Sequence, residues 1–143
     1  MLVNDILQKK GTTIYKTTAQ TPLIEAIKQL NQHNIGSLLV MDGENLEGII
    51  TERDILHAVD SDAERLNEMQ VGDIMTTDLV TCETDANLDK IMVLMTERRI
   101  RHLPVIKEGK LLGLISIGDV VKGRLREITA EAQDLKDYIR GVR

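Results

Sequence analysis

The sequence predicts a mixed α/β (α+β) protein made of two copies of one β-α-β-β-α unit, followed by a C-terminal helix. Three observations predict it. The chain repeats itself internally. Each copy alternates between helical and strand periodicity in the same order. And 143 residues, of which 42% are hydrophobic, suffice for one compact domain or two very small ones, so neither copy buries enough surface to be comfortable alone. Packing the two copies sheet to sheet about a pseudo-two-fold axis is the expected solution.

The repeat is gapless over its main part. Shifted by 65 residues, Ile14–Leu56 falls on Leu79–Val121. Leu23 meets Leu88, Ile35 meets Ile100, Leu38 meets Leu103 and Val40 meets Val105. Leu46 meets Leu111, Gly48 meets Gly113, Ile50 meets Ile115 and Asp54 meets Asp119, while Thr51 meets Ser116 and keeps the hydroxyl. Upstream, Val3–Leu7 echoes Val71–Met75 at an offset three residues longer, which places a short insertion near Lys9–Thr13 in the first copy. The implied segments are a first repeat over 1–60, a polar, mostly helical linker over 61–70, a second repeat over 71–122 and a C-terminal helix over 123–143.

Each copy begins with a short strand, at Thr13–Lys16 and Leu79–Thr81. A helix follows. Thr21-Pro22 opens the first, where proline suits the first turn, and Asp85 is the expected cap of the second. Leu23, Ala26, Ile27 and Leu30, like Leu88, Ile91, Met92 and Met95, fall at helical spacing. Ile35–Met41 and Ile100–Ile106 read as strands. Asp42–Asn45 and Lys107–Lys110 read as hairpin turns. Leu46–Ile50 and Leu111–Ile115 read as the returning strands, and Thr51 and Ser116 as N-caps of the next helices.

Composition narrows the function. There are two Tyr, no Phe and no Trp, so the core is aliphatic and the six Met fill gaps. A net charge of −5 and the scarcity of aromatic rings argue against nucleic-acid binding. A single cysteine, Cys82, excludes an internal disulfide and a cysteine metal cluster. His33, His57 and His102 lack metal-ligand spacing. No apolar run approaches membrane-spanning length and the N-terminus lacks signal-peptide features, so the expected location is the cytoplasm without membrane contact. There is no nucleophile–base pair and no Walker A loop, so no catalysis, no catalytic cofactor and no metal are expected.

Both copies end in Gly-h-h-Thr/Ser-x-x-Asp (h apolar), as Gly48-Ile49-Ile50-Thr51-Glu52-Arg53-Asp54 and Gly113-Leu114-Ile115-Ser116-Ile117-Gly118-Asp119. The second adds Arg101-His102-Leu103-Pro104-Val105. Over roughly residues 1–122 the chain resembles a tandem pair of CBS domains, a Bateman module, of the stand-alone kind. The resemblance implies regulatory binding of an adenine nucleotide such as AMP, ADP, ATP, NAD or S-adenosylmethionine. It implies a homodimer and a separate regulated protein.

The motif makes sense for such a ligand. A hydroxyl and free N–H groups at a strand-to-helix turn favour a phosphate. The carboxylate three residues on is an acceptor for ribose hydroxyls. By the resemblance, the motif of one repeat works with strands of the other. One site then comprises Thr51, Arg53 and Asp54 with Val80, Arg101 and His102, and is rich in cations. The second comprises Ser116 and Asp119 with Tyr15, Gly36 and Ser37, and looks more neutral because Gly118 stands where Arg53 does. The same residues also have a purely structural reading: Thr51 and Ser116 as caps, Asp54 and Asp119 as complements to the helix dipole, Arg98 and Arg99 as part of a solvated face. On that reading the chain is a ligand-independent interaction scaffold.

From Val120 the chain reads as one long helix to about Ile139. Leu125, Ile128, Ala132, Leu135, Ile139 and Val142 recur at alternating spacings of three and four. Such a stripe either packs on the chain's own core or forms a dimer seam. Gly141, with Arg140 and Arg143, suits a helix end.

Overall fold

Strand and helix alternate as the repeat predicts, and the computed structural model describes residues 1–141. The elements are α1 (Val3–Lys10), β1 (Lys16–Thr17), α2 (Leu23–His33), β2 (Ser37–Asp42), β3 (Asn45–Thr51), α3 (Glu52–Asp62), α4 (Val71–Ile74), β4 (Cys82–Glu83), α5 (Leu88–Arg98), β5 (His102–Lys107), β6 (Lys110–Ser116) and α6 (Ile117–Ile139). A 3₁₀ turn over Ala63–Glu68 leads into α4. Val142 and Arg143, the last members of the predicted stripe and helix end, lie outside the described residues.

By its contacts the chain divides into two units. One is Thr13–Val80. The other joins Met1–Thr12 to the chain from Thr81 onward, so α1 belongs with the second repeat. Each unit holds one three-stranded sheet, ordered β1-β2-β3 and β4-β5-β6. The first two strands of each sheet run parallel, joined by a helical crossover, and the last two form an antiparallel hairpin.

The two sheets share details that the sequence repeat foreshadows. Gly43, at φ 61°, and the Glu108-Gly109 pair, at φ 53° and 77°, turn the two hairpins with the left-handed backbone that tight turns need. Both hairpins carry a bulge at the same repeat position, between Val40 and Met41 and between Val105 and Ile106. Both α2 and α5 end on a left-handed residue, Asn34 and Arg99. Asparagine tolerates that backbone; for arginine it costs on the order of 1 kcal/mol.

In the first unit Leu23, Ala26 and Leu30 of α2 pack with Leu38, Val40, Ile50 and Val71. In the second, Val3, Ile6 and Leu7 of α1 are buried, as are Leu88, Ile91 and Met95 of α5, Leu103 and Val105 of β5, Ile115 of β6 and Val120 of α6. The core is aliphatic, as expected.

Three local expectations need correction. The short strands begin later than predicted, at Lys16 and Cys82, where their ladders with Leu39 of β2 and Val105 of β5 begin. Asn87, not Asp85, caps α5: its side chain accepts a 2.9 Å hydrogen bond from the Lys90 N–H. And the helix that Ser116 caps, as expected, runs unbroken from Ile117 through Ile139, so the C-terminal helix read as a separate segment from 123 is its continuation.

Candidate functional site

Each unit turns from strand to helix at its motif. In the first, Thr51 closes β3 and caps α3. Its N–H donates to Asp54 Oδ2 at 2.9 Å and its hydroxyl donates to the same oxygen at 3.2 Å. Asp54 Oδ1 accepts from the Thr76 hydroxyl at 2.9 Å. In the second, the Ser116 N–H donates to Asp119 Oδ2 at 2.8 Å, and the Asp119 N–H donates back to Ser116 Oγ at 3.2 Å. That reciprocal pair is a capping box. The Ser116 hydroxyl, accepting from Asp119, keeps its own proton for another acceptor.

Half of this arrangement, a carboxylate accepting from the N-cap N–H, occurs twice more. Asp5 accepts from the Leu2 N–H and Asp73 from the Gln70 N–H, each at 2.8 Å. Asp5, Asp54, Asp73 and Asp119 therefore all stand at the third position of a helix and satisfy a free N–H. Such a cap stabilises a helix by about 1 kcal/mol. Both motif aspartates thus have a structural role in capping their helices, and each carboxylate keeps lone pairs for a further donor.

The strands bring other predicted residues to these turns. Ser37, buried, is the register partner of Thr51, and the Gly36 carbonyl accepts from the Glu52 N–H at 3.2 Å. Tyr15 lies just before β1; its carbonyl accepts from Leu39 and its ring lies 4.4 Å from that of His33. Arg53 is exposed on the first turn of α3. In the second unit His102, half-buried, is the register partner of Ser116, and the Arg101 carbonyl accepts from Ile117 at 2.8 Å. Val80 is half-buried ahead of β4. Within each unit, then, the motif and the start of its own central strand converge. An open depression of about 430 Å³ borders Asp54, His57 and Ile74; a larger one, about 560 Å³, lies along α2 and contains none of the predicted site residues.

Two residues in contact with the motif aspartates escaped the sequence analysis. One is Thr76. The other is Lys10, whose Nζ donates to Asp119 Oδ2 at 2.7 Å and to the Leu114 carbonyl at 2.9 Å. Burial pushes the Asp119 carboxyl up. The Lys10 hydrogen bond, the Ser116 N–H and the Lys10 charge outweigh it, so its pKa lies below the ordinary carboxylate value. The supposedly neutral second motif therefore has a cation against its aspartate. The signal for Lys10 was the insertion itself: α1 continues through it to Lys10, whereas α4 stops at Ile74. Cys82 is buried, and burial with the nearby Glu83 charge pushes its thiol up to about 11. Among the described residues no group of three His, Cys, Asp or Glu is placed to hold a metal, and no helix is long and apolar enough to cross a membrane.

A repeated β-α-β-β-α unit whose glycine-marked strand runs into a Thr/Ser-capped helix with an aspartate at its third position defines a class. The CBS domain profile matches residues 3–61 and 71–126, and this chain belongs to the CBS domain family. Among individual proteins, it is 38% identical to the CBS domain-containing protein CBSX3, mitochondrial, of Arabidopsis thaliana, over 97% of this chain and 72% of that one. Among solved structures it resembles the CBS-domain protein ATU1752 of Agrobacterium tumefaciens, with TM-score 0.85 and 38% identity over 87% of this chain and 99% of that one. It also resembles the CBS domain pair of the protein MJ0100, solved with 5-methylthioadenosine and S-adenosyl-L-methionine, with TM-score 0.77 and 27% identity over 89% of this chain and 98% of that one.

Proposed function

We propose that the chain is a non-catalytic regulatory module that binds an adenosine-containing ligand and signals through rearrangement of its repeats or of a homodimer. The observation that carries this reading is the duplicated strand-to-helix turn, Thr51–Asp54 and Ser116–Asp119. Each copy offers the positive end of a helix dipole to an anion, and a carboxylate to ribose hydroxyls. The ligands of the MJ0100 pair support the adenosine class. AMP, ADP, ATP, NAD and S-adenosylmethionine are the candidates. Thr51, Arg53 and Asp54 serve one ligand with Val80, Arg101 and His102. Ser116 and Asp119 serve a second with Tyr15, Gly36 and Ser37, and Lys10 supplies a cation there that the motif lacks. The output is a contact with a separate regulated protein. The cytoplasm is the proposed compartment, to be checked by fractionation, since the Arabidopsis relative is mitochondrial by name.

A thermal-shift screen with AMP, ADP, ATP, NAD, NADH and S-adenosylmethionine tests the reading. A ligand at about 100 times its dissociation constant adds roughly 2.7 kcal/mol to stability. The shift is expected to vanish in Asp54→Ala with Asp119→Ala. Those substitutions also remove helix caps, so the control is Asp73→Ala, which takes the same cap from α4 and is expected to keep the shift. No shift with any ligand, on protein freed of bound nucleotide, would replace this reading with a ligand-independent interaction scaffold.

A further inference from the structure

Among the described residues the apolar stripe of α6 is exposed. Val121, Leu125, Ile128, Leu135 and Ile139 are 45%, 57%, 48%, 60% and 73% exposed, and Ala132 between them is exposed as well. The opposite side of the helix is engaged. Val120 and Gly123 are buried there, and at the edge between the two sides Arg124 pairs with Glu127 and approaches Asp89 on α5. The helix therefore docks on its own unit by one face and presents a heptad seam on the other. In that seam Leu125, Ala132 and Ile139 hold the a positions, and Val121, Ile128 and Leu135 the d positions.

The flanking charges choose the occupant. Lys122, Thr129 and Lys136 fall at e; Arg124, Glu131 and Tyr138 fall at g. In a parallel, in-register pair each g residue faces the e residue of the next heptad on the other helix. Glu131 then meets Lys136 of the second copy, twice by symmetry. The antiparallel register that covers the stripe from Leu125 to Leu135 instead sets Lys122 against Lys136, and Glu131 against Glu131. Among the described residues neither Glu131 nor Lys136 has an ion pair within its own chain, so both are available. We infer that the α6 stripe is the seam of a homodimer, with the two α6 helices packed parallel and in register and locked by reciprocal Glu131–Lys136 pairs. The inference rests on the homodimer part of the reading above and is independent of any nucleotide. The seam spans fewer than three heptads, too short to hold by itself, so the pairing works as a clamp on globular units rather than as a free coiled coil.

Analytical ultracentrifugation of the full chain provides the test. The wild type is expected to be a dimer, and Leu125→Glu with Leu135→Glu, both at exposed positions, a folded monomer by circular dichroism. Lys136→Glu is expected to weaken the dimer roughly tenfold, and Glu131→Lys with Lys136→Glu to restore it. Ala132→Cys is expected to cross-link its two copies under mild oxidation, while buried Cys82 stays out of the reaction. A monomeric wild type would overturn both this inference and the homodimer reading. A dimer that survives Leu125→Glu with Leu135→Glu would overturn the inference alone. So would tightening by Lys136→Glu, which is what an antiparallel seam predicts by turning the Lys122–Lys136 repulsion into attraction.

Discussion

Asp54 and Asp119 occupy the same place in the two repeats and accept from the same kind of capping N–H, yet their second partners differ. Asp54 takes a neutral hydroxyl from Thr76, and Asp119 takes the Lys10 ammonium. A charged donor against a half-buried carboxylate contributes about 1–2 kcal/mol when neither group is fully exposed. Lys10→Met is therefore expected to lower stability by about 1 kcal/mol at neutral pH in urea unfolding. The pH dependence follows from the direction of the Asp119 shift. Its folded pKa lies below the unfolded value of about 3.9. The stabilisation is complete above about pH 5 and fades as the pH falls toward the folded pKa. Lys10→Met removes part of the depression, so the Asp119 pKa should rise when followed by carboxyl NMR, and the two proteins should converge in stability as the solution is acidified. An unmoved Asp119 titration would show that the ion pair does not form in solution.

At the scale of elements, the glycine shared by the two motifs acquires a physical cause. A Cβ at Gly48 would lie 2.7 Å from the Thr76 carbonyl oxygen, and one at Gly113 would lie 2.9 Å from Leu7 Cδ2. The hairpin is approached there by the segment that follows α4 in one unit and by α1 in the other. The obstacles differ in kind. Thr76 is held by two backbone hydrogen bonds with Ile49, at 2.9 and 3.0 Å, and cannot retreat without losing them. Leu7 presents the tip of a side chain that can change rotamer. Gly48→Ala is expected to cost about 2–3 kcal/mol and Gly113→Ala about 1 kcal/mol, measured by denaturant unfolding. The reverse order would mean that α1 is the more rigidly held of the two. The sequence revealed that both glycines matter, because they coincide in the repeat; it concealed why, because Thr76 and Leu7 belong to other elements. The same division explains the rest. Periodicity in Leu23–Leu30 and identity between Leu38 and Leu103 made the helices, the hairpins and the two caps at Thr51 and Ser116 legible. The choice of Asn87 over Asp85 turned on a two-residue difference in helix start. Contact between Lys10 and Asp119 joins residues far apart in the chain, and no periodic pattern encodes such a contact.

For the whole molecule, the decisive feature is the discontinuous second unit. The chain starts in it with α1, leaves for Thr13–Val80, and returns at Thr81. Helix α1 contributes Val3, Ile6 and Leu7, exposed by 0%, 4% and 3%, and the Val3 and Asn4 N–H groups donate to Ala86 and Thr84 at 2.9 Å. Three buried aliphatic side chains correspond to roughly 5 kcal/mol of transfer free energy, as large as the entire stability of many small domains. A chain that begins at Thr13 should therefore lose the second unit's cooperative structure although every strand of its sheet is present. Hydrogen exchange reads this out by region: amides of β5 and β6 are expected to lose most of their protection, while those of β2 and β3 lose less. Equal loss in the two sheets would refute the assignment of α1 to the second unit. Retained protection in β5 and β6 would show that the repeat holds its own core and that α1 serves chiefly to bring Lys10 to Asp119. The expected outcome makes the echo of Val3–Leu7 in Val71–Met75 a folding requirement, since α1 and α4 would then each complete the packing of one sheet.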